Sequence, residues 1–359
     1  MHVVRTWLRD VRSYEECEVE WAPGVNVVIG DNGLGKTNLV EAVVLLSRLE
    51  SFRGAPNDAL IRVGAESAIV RGEIVREGRD HLIELELPRT GRSRVLVDRQ
   101  RVQRRSDVAR TLVTSVFSPD DLELIKAGPG ARRGFLDEVL VTRSARHESA
   151  RSDLDKVLRQ RNALLKGVRG RLDEGAALTL DVWDQRLAEA GERWSGARDR
   201  LVAAIHDDVN RAYEEVSSQR GAVELEVAHS WEGSLLDALV ASRADDVRRG
   251  VSLVGPHRDD LVVRLGGMPA RTHASQGEQR CLALALKVAA HRYLAADLGV
   301  VPVLVLDDVF SELDPTRSAA LTSALPEGQV IVTSAVGVPA GARADRVLRV
   351  GRGTVEAVS

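Results

Sequence analysis

A glycine-rich run near the start of the chain has the residue types of a phosphate-binding loop. The run fits the pattern G-x-x-x-x-G-K-S/T, with a lysine and a threonine at its end. In such a loop, backbone N–H groups surround the phosphates, the lysine reaches the β- and γ-phosphates, and the threonine hydroxyl binds Mg²⁺. The candidate nucleotide-binding residues are Gly30, Asp31, Asn32, Gly33, Leu34, Gly35, Lys36 and Thr37.

A partner acid for hydrolysis stands far along the chain. The apolar run at residues 301–306 reads as a buried strand and ends at Asp307 and Asp308. Parallel sheets place their ligands at the carboxyl ends of strands. Because Mg²⁺ prefers oxygen ligands, Asp307 is predicted to hold the metal together with Thr37. Asp308 is predicted to be catalytic, by orienting or deprotonating the attacking water, and Lys36 is the second candidate catalytic residue.

A third polar segment precedes a helical pattern that runs from Gln279 to Leu294. Ser275 and Glu278 have the three-residue spacing of a capping box, which predicts the start of a helix. The exposed hydroxyl and N–H groups of such a start could also contact a γ-phosphate. The position of the segment ahead of the Asp-Asp strand favours this second role. The candidate nucleotide-binding residues here are Ser275, Gln276, Gly277 and Glu278.

Regular elements on both sides of the glycine-rich run must hold it in place. Val25–Ile29 reads as a buried strand before the run. A helix follows it, with a predicted buried face formed by Leu39, Val40, Val43 and Val44. Residues 2–21 and 67–88 alternate between apolar and polar positions, and residues 93–102 continue the pattern. A period of two predicts strands of a sheet with one solvated face.

The middle of the chain is polar and helical. Ser106 is a possible N-cap of the first helix there. An apolar stripe at helical spacing, which Arg161 interrupts, contains Leu154, Leu158, Leu165 and Val168. A heptad seam over three repeats contains Trp183, Leu187, Ala190, Trp194, Ala197, Leu201 and Ala204. A glycine-rich turn lies between them and favours an antiparallel helical arm inserted into a head, although two core helices of a globular domain fit the same pattern.

Strand-like segments return after about residue 221, at residues 222–229, 251–255 and 261–265. Three parts of the chain are therefore predicted. Residues 1–125 form the N-terminal part of an ATPase head with the phosphate-binding loop, and residues 126–220 form the inserted helical arm. Residues 221–359 form the C-terminal part of the head, with the polar helix start and the aspartate-tipped strand.

Composition narrows the class of protein. The chain has 359 residues, a formal net charge of −3 and 3% aromatic residues. So few aromatics argue against nucleic-acid binding by base stacking, and the near-neutral total requires any basic surface to be local. No apolar run is long enough to span a membrane, and the charged N-terminus lacks a signal-peptide core. Cys17 and Cys281 lie in apolar-patterned segments and fit a reducing, cytoplasmic setting.

The order of these motifs resembles that of ABC-type ATPase heads, such as those of SMC proteins: the loop, a long insertion, the polar helix start, the aspartate-tipped strand and a D-loop at Glu312-Leu313-Asp314. Four long segments narrow the resemblance to the RecF family of DNA replication and repair proteins. They are FSPDDLELIKAGPGARRGFLD (117–137), LRQRNALLK (158–166), LVGPHRDDL (253–261) and LDDVFSELD (306–314). The resemblance covers nearly the whole chain. It implies an α/β fold, namely an ABC-type P-loop ATPase head with an inserted, coiled-coil-like helical arm.

The resemblance implies a cytoplasmic bacterial protein of recombinational repair. It implies ATP and Mg²⁺ as cofactors, a slow, DNA-stimulated ATPase, and a head-to-head homodimer in which residues 275–279 contact the ATP on the partner's loop. It also implies binding to double-stranded and gapped DNA, and recombinase loading at gaps with RecO- and RecR-type mediators. The candidate DNA contacts are Arg132, Arg133, Arg159, Arg161, Lys166, Arg169, Arg171, Arg248 and Arg249. A solvated helix surface that contacts no DNA would show the same pattern of charges.

Two positions depart from the ABC pattern. Asp308 stands where a glutamate is usual, which fits slow hydrolysis, and Thr333 or Ser334 stands in place of a histidine switch. A lid glutamine is not evident in residues 111–121. Two other functions stay open. The long charged insertion argues against the nucleotide-binding subunit of a membrane transporter, and the intact ATP- and metal-binding residues argue against a DNA-binding scaffold with a dead ATPase.

Overall fold

The structure, a computed structural model, describes residues 1–102, 104–168, 170–217, 219, 221–324, 327–339 and 341–358. The chain forms two compact units. The first unit contains residues 1–121, 211–220 and 284–359, and the second unit contains residues 122–210 and 221–283. The three-part division of head, arm and head stays a prediction.

An antiparallel sheet of six strands forms one part of the first unit. Its strands are β1 (His2–Val11), β2 (Tyr14–Glu20), β4 (Ser67–Arg76), β5 (Arg79–Pro88), β6 (Arg94–Val97) and β7 (Gln100–Val102), in the spatial order β2-β1-β4-β5-β6-β7. Alternate residues of β4 are buried, among them Val70 and Ile74, whereas Arg71 and Glu73 are exposed. This alternation agrees with the one-sided sheet that the sequence pattern predicts.

A second sheet of the first unit carries the aspartate-tipped strand. Its strands are β3 (Val25–Ile29), β8 (Thr114–Phe117), β12 (Val303–Asp307), β13 (Val330–Ser334), β14 (Arg346–Val350) and β15 (Val355–Ala357), in the order β15-β14-β3-β13-β12-β8. All neighbours pair in parallel except β14 and β15. Every residue of β12 and β13 is buried, as continuous apolar strands of parallel sheets usually are.

Among the residues that the structure describes, four α-helices lie wholly within the first unit. They are α1 (Lys36–Arg48), α2 (Asn57–Leu60), α3 (Arg105–Ala109) and α11 (Pro315–Ala324). The predicted buried face of α1 is confirmed, because Leu39, Val40, Val43 and Val44 are fully buried in a core that contains residues of both sheets. Helix α1 therefore fixes the position of the loop that precedes it.

The second unit is mostly helical. Its helices are α4 (Glu123–Lys126), α5 (Pro129–Arg143), α6 (Ala145–Gly167), α7 (Glu174–Ser217), α8 (Leu235–Arg249), α9 (Ala270–His273) and the start of α10 (Gln276–Leu298). Residues 211–217 of α7 and 284–298 of α10 belong to the first unit. Its small antiparallel sheet has the order β11 (Met268–Pro269), β10 (Asp260–Leu265) and β9 (Val223–Ala228). Within the described ranges, no helix is both long and apolar enough to cross a membrane.

The heptad seam lies within α7. Its buried members are Leu187, Trp194, Ala197 and Leu201. Trp183 and Ala190 are partly buried, whereas Ala204 is exposed. The side chains of the seam are therefore buried or partly buried over most of its length, as the spacing predicts, and the seam ends at the exposed Ala204.

Helix ends differ from their predicted positions. Ser106 is not an N-cap, because α3 begins at Arg105 and the extended backbone that precedes it belongs to Arg104. Helix α10 begins at Gln276 and ends at Leu298, so it is longer at both ends than the apolar pattern indicates. Helix ends depend on local backbone geometry and capping, which apolar spacing does not show.

The strand predicted at residues 251–255 is wrong. These residues form a loop that leads into a short 3₁₀ helix, Pro256–Arg258. The N–H of Ser252 donates to Asn162 Oδ1 at 2.8 Å, and the N–H of Leu253 donates to Asp246 Oδ1 at 3.0 Å. Side chains therefore take the backbone hydrogen bonds that a neighbouring strand would otherwise make.

Arg161 interrupts the apolar stripe of α6 in sequence, but its side chain is fully buried in the structure rather than exposed to solvent. Its Nε donates to Asp184 Oδ1 at 2.6 Å, and its Nη1 donates to Asp246 Oδ2 at 2.7 Å. Arg243 donates to the other oxygen of Asp184 at 2.6 Å. We call these two arginines and two aspartates the buried ion network. Their charges balance, as burial requires.

A second buried ion pair holds the LVGPHRDDL segment. Arg198 donates to both carboxylate oxygens of Asp137, at 2.8 and 3.0 Å, and to the carbonyl oxygen of Pro256 at 2.7 Å. Asp259 in the same segment accepts a hydrogen bond from the Ser195 hydroxyl at 3.0 Å. The polar residues of this segment therefore connect it to α5 and α7 inside the second unit.

Candidate nucleotide-binding site

The glycine-rich loop turns sharply between β3 and α1. Gly30 has φ 153°, and a Cβ there would lie 2.7 Å from the carbonyl oxygen of Val350. Gly35 has φ 110°, and a Cβ there would lie 2.7 Å from the Ser13 hydroxyl. Only glycine fits both the left-handed backbone and the close approach. The loop can therefore turn its N–H groups inward and begin α1 at Lys36.

The Lys36 ammonium lies across this loop. Its Nζ donates to the carbonyl oxygens of Gly30 at 2.7 Å and Asp31 at 3.0 Å, and to Asn32 Oδ1 at 3.4 Å. The side chain is only 6% exposed. The loop backbone thus holds a positive charge at the mouth of a helix N-terminus, where a phosphate group is favoured.

Two contacts hold the loop from the β1–β2 hairpin, and the sequence analysis did not identify them. The buried Tyr14 hydroxyl donates to the Gly35 carbonyl oxygen at 3.1 Å. Asn38 in α1 donates to the Ser13 hydroxyl at 3.1 Å. Alternation predicts the hairpin but not which of its residues meet the loop. An open cavity adjoins the loop and is lined by Ser13, Glu15, Asn32, Leu34 and Arg352, among others.

Thr37 and Asp307 lie side by side although 270 residues separate them. The Thr37 hydroxyl donates to Asp307 Oδ1 at 2.9 Å. Strand β3 delivers the loop and β12 delivers the aspartate at the same end of the parallel sheet. The two predicted metal ligands are therefore brought together, with hydroxyl and carboxylate oxygens of the kind that Mg²⁺ prefers.

Thr333 joins the two aspartates. Strand β13 lies between β3 and β12, and Thr333 stands opposite Asp307 in the register. Its hydroxyl donates to Asp307 Oδ1 at 2.8 Å and accepts from the N–H of Asp308 at 2.8 Å. The sequence predicts Thr333 or Ser334 only as a substitute for a histidine switch. In the structure, the Thr333 hydroxyl contacts both aspartates. The Ser334 hydroxyl instead accepts a hydrogen bond from the N–H of Val336 at 3.3 Å.

Opposing effects act on the pKa of the Asp307 carboxyl group. Burial raises the pKa of its carboxyl group, hydrogen bonds from Thr333 and Thr37 oppose that rise, and the neighbouring Asp308 adds to it. The exposed Arg53 lies near enough for its positive charge to favour the ionised form. A bound cation would remove the cost of holding two carboxylates together here.

Asp308 has an unusual backbone and an open side-chain oxygen. Its φ of 52° lies in the left-handed region, which is rare for a residue other than glycine. Its Oδ1 is buried and has no hydrogen-bond partner among the residues that the structure describes. Strained backbone and unsatisfied polar atoms concentrate at functional sites. The aspartate oxygens and the Thr37 hydroxyl therefore fit a magnesium ion and a water molecule.

The segment at Ser275 forms the predicted capping box at the start of α10. The Ser275 N–H donates to Glu278 Oε2 at 2.7 Å, and the Glu278 N–H donates to the Ser275 hydroxyl at 3.3 Å. Ser275 and Gln276 are exposed, and Gly277 is partly exposed. The capping role is confirmed, and the segment remains accessible to a ligand outside the second unit. Its role in nucleotide binding stays a prediction.

Several of the candidate DNA contacts are engaged inside the second unit. Arg132 is buried and donates to both oxygens of Asp260, at 2.7 and 2.9 Å. Arg133 donates to the Asp259 carbonyl oxygen at 2.6 Å. Arg161 belongs to the buried ion network. The prediction is therefore wrong for Arg161, whose side chain is fully buried, and for Arg132, whose side chain is only 7% exposed and already paired with Asp260.

The other candidate DNA contacts differ in exposure and pairing. Arg248 forms an ion pair with Asp245. Arg169 lies outside the described residues. The candidates that are exposed are Arg159, Lys166, Arg171, Arg248 and Arg249. Their contact with DNA stays a prediction.

Comparison with known proteins agrees with this arrangement. The family described as RecF/RecN/SMC N terminal domain matches residues 2–352. The chain is 44% identical over 378 residues to the DNA replication and repair protein RecF of Streptomyces avermitilis, with 100% of both chains covered. It is 43% identical over 380 residues to the RecF protein of Kineococcus radiotolerans, with 98% of this chain and 97% of that protein covered.

Solved structures extend the comparison to the fold. A structure described as the recombination mediator protein RecF-ATP in the RecFOR pathway has a TM-score of 0.90 and 27% identity, covering 100% of this chain and 98% of its own. The Smc head domain of Pyrococcus furiosus, with an extended coiled coil, has a TM-score of 0.58 and 17% identity, covering 99% and 96%. The predicted fold class, an α/β ABC-type P-loop ATPase head with an inserted helical arm, is confirmed.

Proposed function

This chain belongs to the RecF/RecN/SMC family, and from that premise we propose that it is an ATP-dependent DNA-binding protein of recombinational repair and replication. It acts in the cytoplasm on double-stranded or gapped DNA, dimerises on ATP, and promotes recombinase loading at gaps with RecO- and RecR-type mediators. Full-length relatives named DNA replication and repair protein RecF support this function, as do the matching RecF-ATP and RecF-ATPrS structures.

The observation that carries the proposal is the convergence of the loop, Thr37 and Asp307 at one end of one sheet. Lys36 and the loop N–H groups bind the phosphates of ATP, while Thr37 and Asp307 hold Mg²⁺. The bound metal supplies charge neutralisation for the phosphates. Asp308 orients the attacking water, and its short side chain fits a weak, DNA-stimulated ATPase.

The capping box of α10 acts in the dimer. Ser275, Gln276, Gly277 and Glu278 begin an α-helix at an exposed position, where free N–H groups favour an anion. They contact the γ-phosphate of the ATP bound to the loop of a second copy of the chain. ATP then joins two heads, and hydrolysis releases them.

One experiment tests these assignments together. Wild type, Lys36→Ala and Ser275→Arg are compared for ATP binding, for ATP-dependent dimerisation by sedimentation, and for ATPase activity with gapped, duplex or no DNA. Lys36→Ala is expected to lose ATP binding and the dimer, whereas Ser275→Arg is expected to bind ATP as a monomer without hydrolysing it. Gel shifts with gapped, duplex and single-stranded DNA, with and without ATP, complete the series.

Distinct outcomes would contradict distinct parts of the proposal. An ATP-induced dimer of Lys36→Ala would remove the role of the loop. Loss of ATP binding in Ser275→Arg would place the capping box in the protomer's own site. Wild type without affinity for any DNA would remove the repair function and favour the transporter class.

A further inference from the structure

The segment at residues 89–110 is far more basic than the chain to which it belongs. It contains eight arginines against two acidic residues, whereas the whole chain has a net charge of −3. It contains no aromatic residue and no histidine. The arginines are Arg89, Arg92, Arg94, Arg99, Arg101, Arg104, Arg105 and Arg110.

Strands β6 and β7 of this segment form an edge of the antiparallel sheet in the first unit. Strand β7 is the last strand of the sheet, and β6 is its only neighbour among the described strands. Val95 stands opposite Val102, and both pack against the core. Arg101 stands opposite Leu96 and therefore shares the outer face of the sheet with Arg94, two residues away from Leu96. The register thus directs arginines of both strands to the same solvated face, on which Glu86 of β5 stands opposite Arg94.

Most of these arginines have no acidic partner. The exposed ones that form no ion pair with any described residue are Arg92, Arg94, Arg99, Arg101, Arg104 and Arg110. We call these six residues the arginine edge. Arg89 donates instead to carbonyl oxygens, and Arg105 lies 3.8 Å from Glu50. In strands β1 and β4 of the same sheet, Arg5 forms ion pairs with Glu18 and Glu20, and Arg71 forms an ion pair with Glu84.

The turn between β6 and β7 contains an arginine where glycine is preferred. Asp98 has φ 50° and Arg99 has φ 66°, and the flanking residues Val97 and Gln100 pair directly. Two-residue hairpin turns of this kind favour glycine at the second position, because the Cβ of any other residue there crowds the following carbonyl oxygen. Asp98 accepts from the Leu82 N–H at 2.9 Å, which fixes the turn. An arginine at such a position indicates a use for its charge.

We propose that the arginine edge binds the phosphate backbone of double-stranded DNA. This inference rests on the proposed function for the identity of the polyanion. Arginine forks match phosphate oxygens in two hydrogen bonds, and such contacts position a duplex without reading its sequence. The absence of aromatic side chains from the segment removes the stacking platform that single strands need. The edge therefore favours the duplex side of a gapped substrate.

The test compares two triple variants of equal charge. Arg94→Gln/Arg101→Gln/Arg104→Gln removes three members of the arginine edge, and Arg9→Gln/Arg343→Gln/Arg349→Gln removes three exposed arginines of the same unit outside it. Affinity for a fluorescent duplex is measured with ATP and Mg²⁺ from low to high salt. The edge variant is expected to bind at least roughly tenfold more weakly, and its log–log salt slope is expected to fall by about 2–3, since each lost phosphate contact removes about 0.9.

A second variant separates binding from folding. Arg99→Gly places the favoured residue in the turn, so the melting temperature is expected to hold or rise while the salt slope falls by about 1. Equal losses in the two triple variants, or an unchanged slope in both edge variants, would overturn the inference while leaving DNA binding by wild type intact. Binding of fluorescent polyglutamate is measured in the same way, and its loss in the edge variants without loss of duplex binding would assign the edge to an acidic protein instead. Wild type that binds no DNA would remove the proposed function itself.

Discussion

The nucleotide site of the first unit and the buried ion network of the second unit hold polar groups in opposite ways. At the nucleotide site, the short side chains of Thr37, Thr333 and Asp307 meet because parallel strands end beside one another. In the network, the long side chain of Arg161 reaches Asp184 and Asp246 from a different helix of the same unit. Strand register positions the first set, and charge pairing positions the second.

This difference separates a site from a scaffold. At the nucleotide site an Asp308 oxygen is buried without a partner in the described chain, so the site can still accept a metal-bound or reacting group. In the network, the central arginine is fully buried and its Nη2 also lacks a hydrogen-bond partner among the described residues, but each buried charge has an oppositely charged partner. Matched charges, rather than complete hydrogen bonding, therefore distinguish the network from the nucleotide site. Buried ion pairs of this kind are costly to break but bring little net stability. The network therefore specifies how the helices of the second unit pack.

The largest effect is expected from breaking the network. Arg161→Met leaves Asp246 buried without its ion partner, and it is expected to lower the free energy of unfolding by about 3–5 kcal/mol. Arg159→Met on the same helix changes an exposed side chain and is expected to change it by less than about 0.5 kcal/mol. Urea unfolding followed by circular dichroism measures both. Similar losses in the two variants would show that the network carries no special constraint.

Substitution of Thr333 is expected to change the stability less than loss of the network does, but to change the ATPase activity strongly. Thr333→Val removes the hydrogen bonds to both aspartates while keeping the side-chain shape, and it is expected to lower the ATPase rate about 10–100-fold, as loss of ligand-supporting contacts does. Thr333→Ser keeps the hydroxyl and is expected to retain most of the rate. The Mg²⁺ concentration needed for half-maximal activity is measured in parallel and should rise only for valine. Equal rates in both variants would leave Thr333 with a packing role alone.

The smallest effect is expected at His291 in α10. This buried side chain of the first unit belongs neither to the buried ion network nor to the nucleotide site. Both ring nitrogens lack hydrogen-bond partners among the described residues, and burial, aided by the charge of Arg292, lowers the pKa of His291 to about 4. The folded state therefore disfavours the proton that the unfolded state binds near pH 6.5. Stability is full above pH 6.5 and declines as the pH falls toward 4.

The measurement is urea unfolding of wild type and His291→Leu at pH 7.5 and 5.5. Wild type is expected to lose about 1 kcal/mol more than the variant between these pH values. At pH 7.5 the leucine variant is expected to be at least as stable, because it buries no unpaired ring nitrogen. The same pH dependence in both proteins would mean that His291 does not stay neutral.

Features that depend on local pattern could be predicted from the sequence. The glycine-rich loop, the buried face of α1 and the strand that ends at Asp307 each follow from a short stretch of residues, and the structure contains all three. The capping box at Ser275 belongs to the same class. Such features need only neighbours in sequence, so residue types and spacing suffice.

Features that depend on distant partners could not. Arg161 looks like an interruption because Asp184 and Asp246 follow it by 23 and 85 residues. Residues 251–255 look like a strand because side chains that replace the ladder come from elsewhere in the chain. Thr333 looks like a switch residue until the strand order places β13 between β3 and β12. Only the three-dimensional arrangement shows these contacts.

The strand order also decides when the loop can become functional during protein synthesis. Both neighbours of β3 in its sheet, β13 (Val330–Ser334) and β14 (Arg346–Val350), lie about 300 residues after it in the chain. At a ribosomal rate of about 5–20 residues per second, β3 waits roughly 15–60 s for them. Until then the nascent chain carries a phosphate-binding sequence without a sheet to support it, so ATP binding is expected only after both strands have been synthesised.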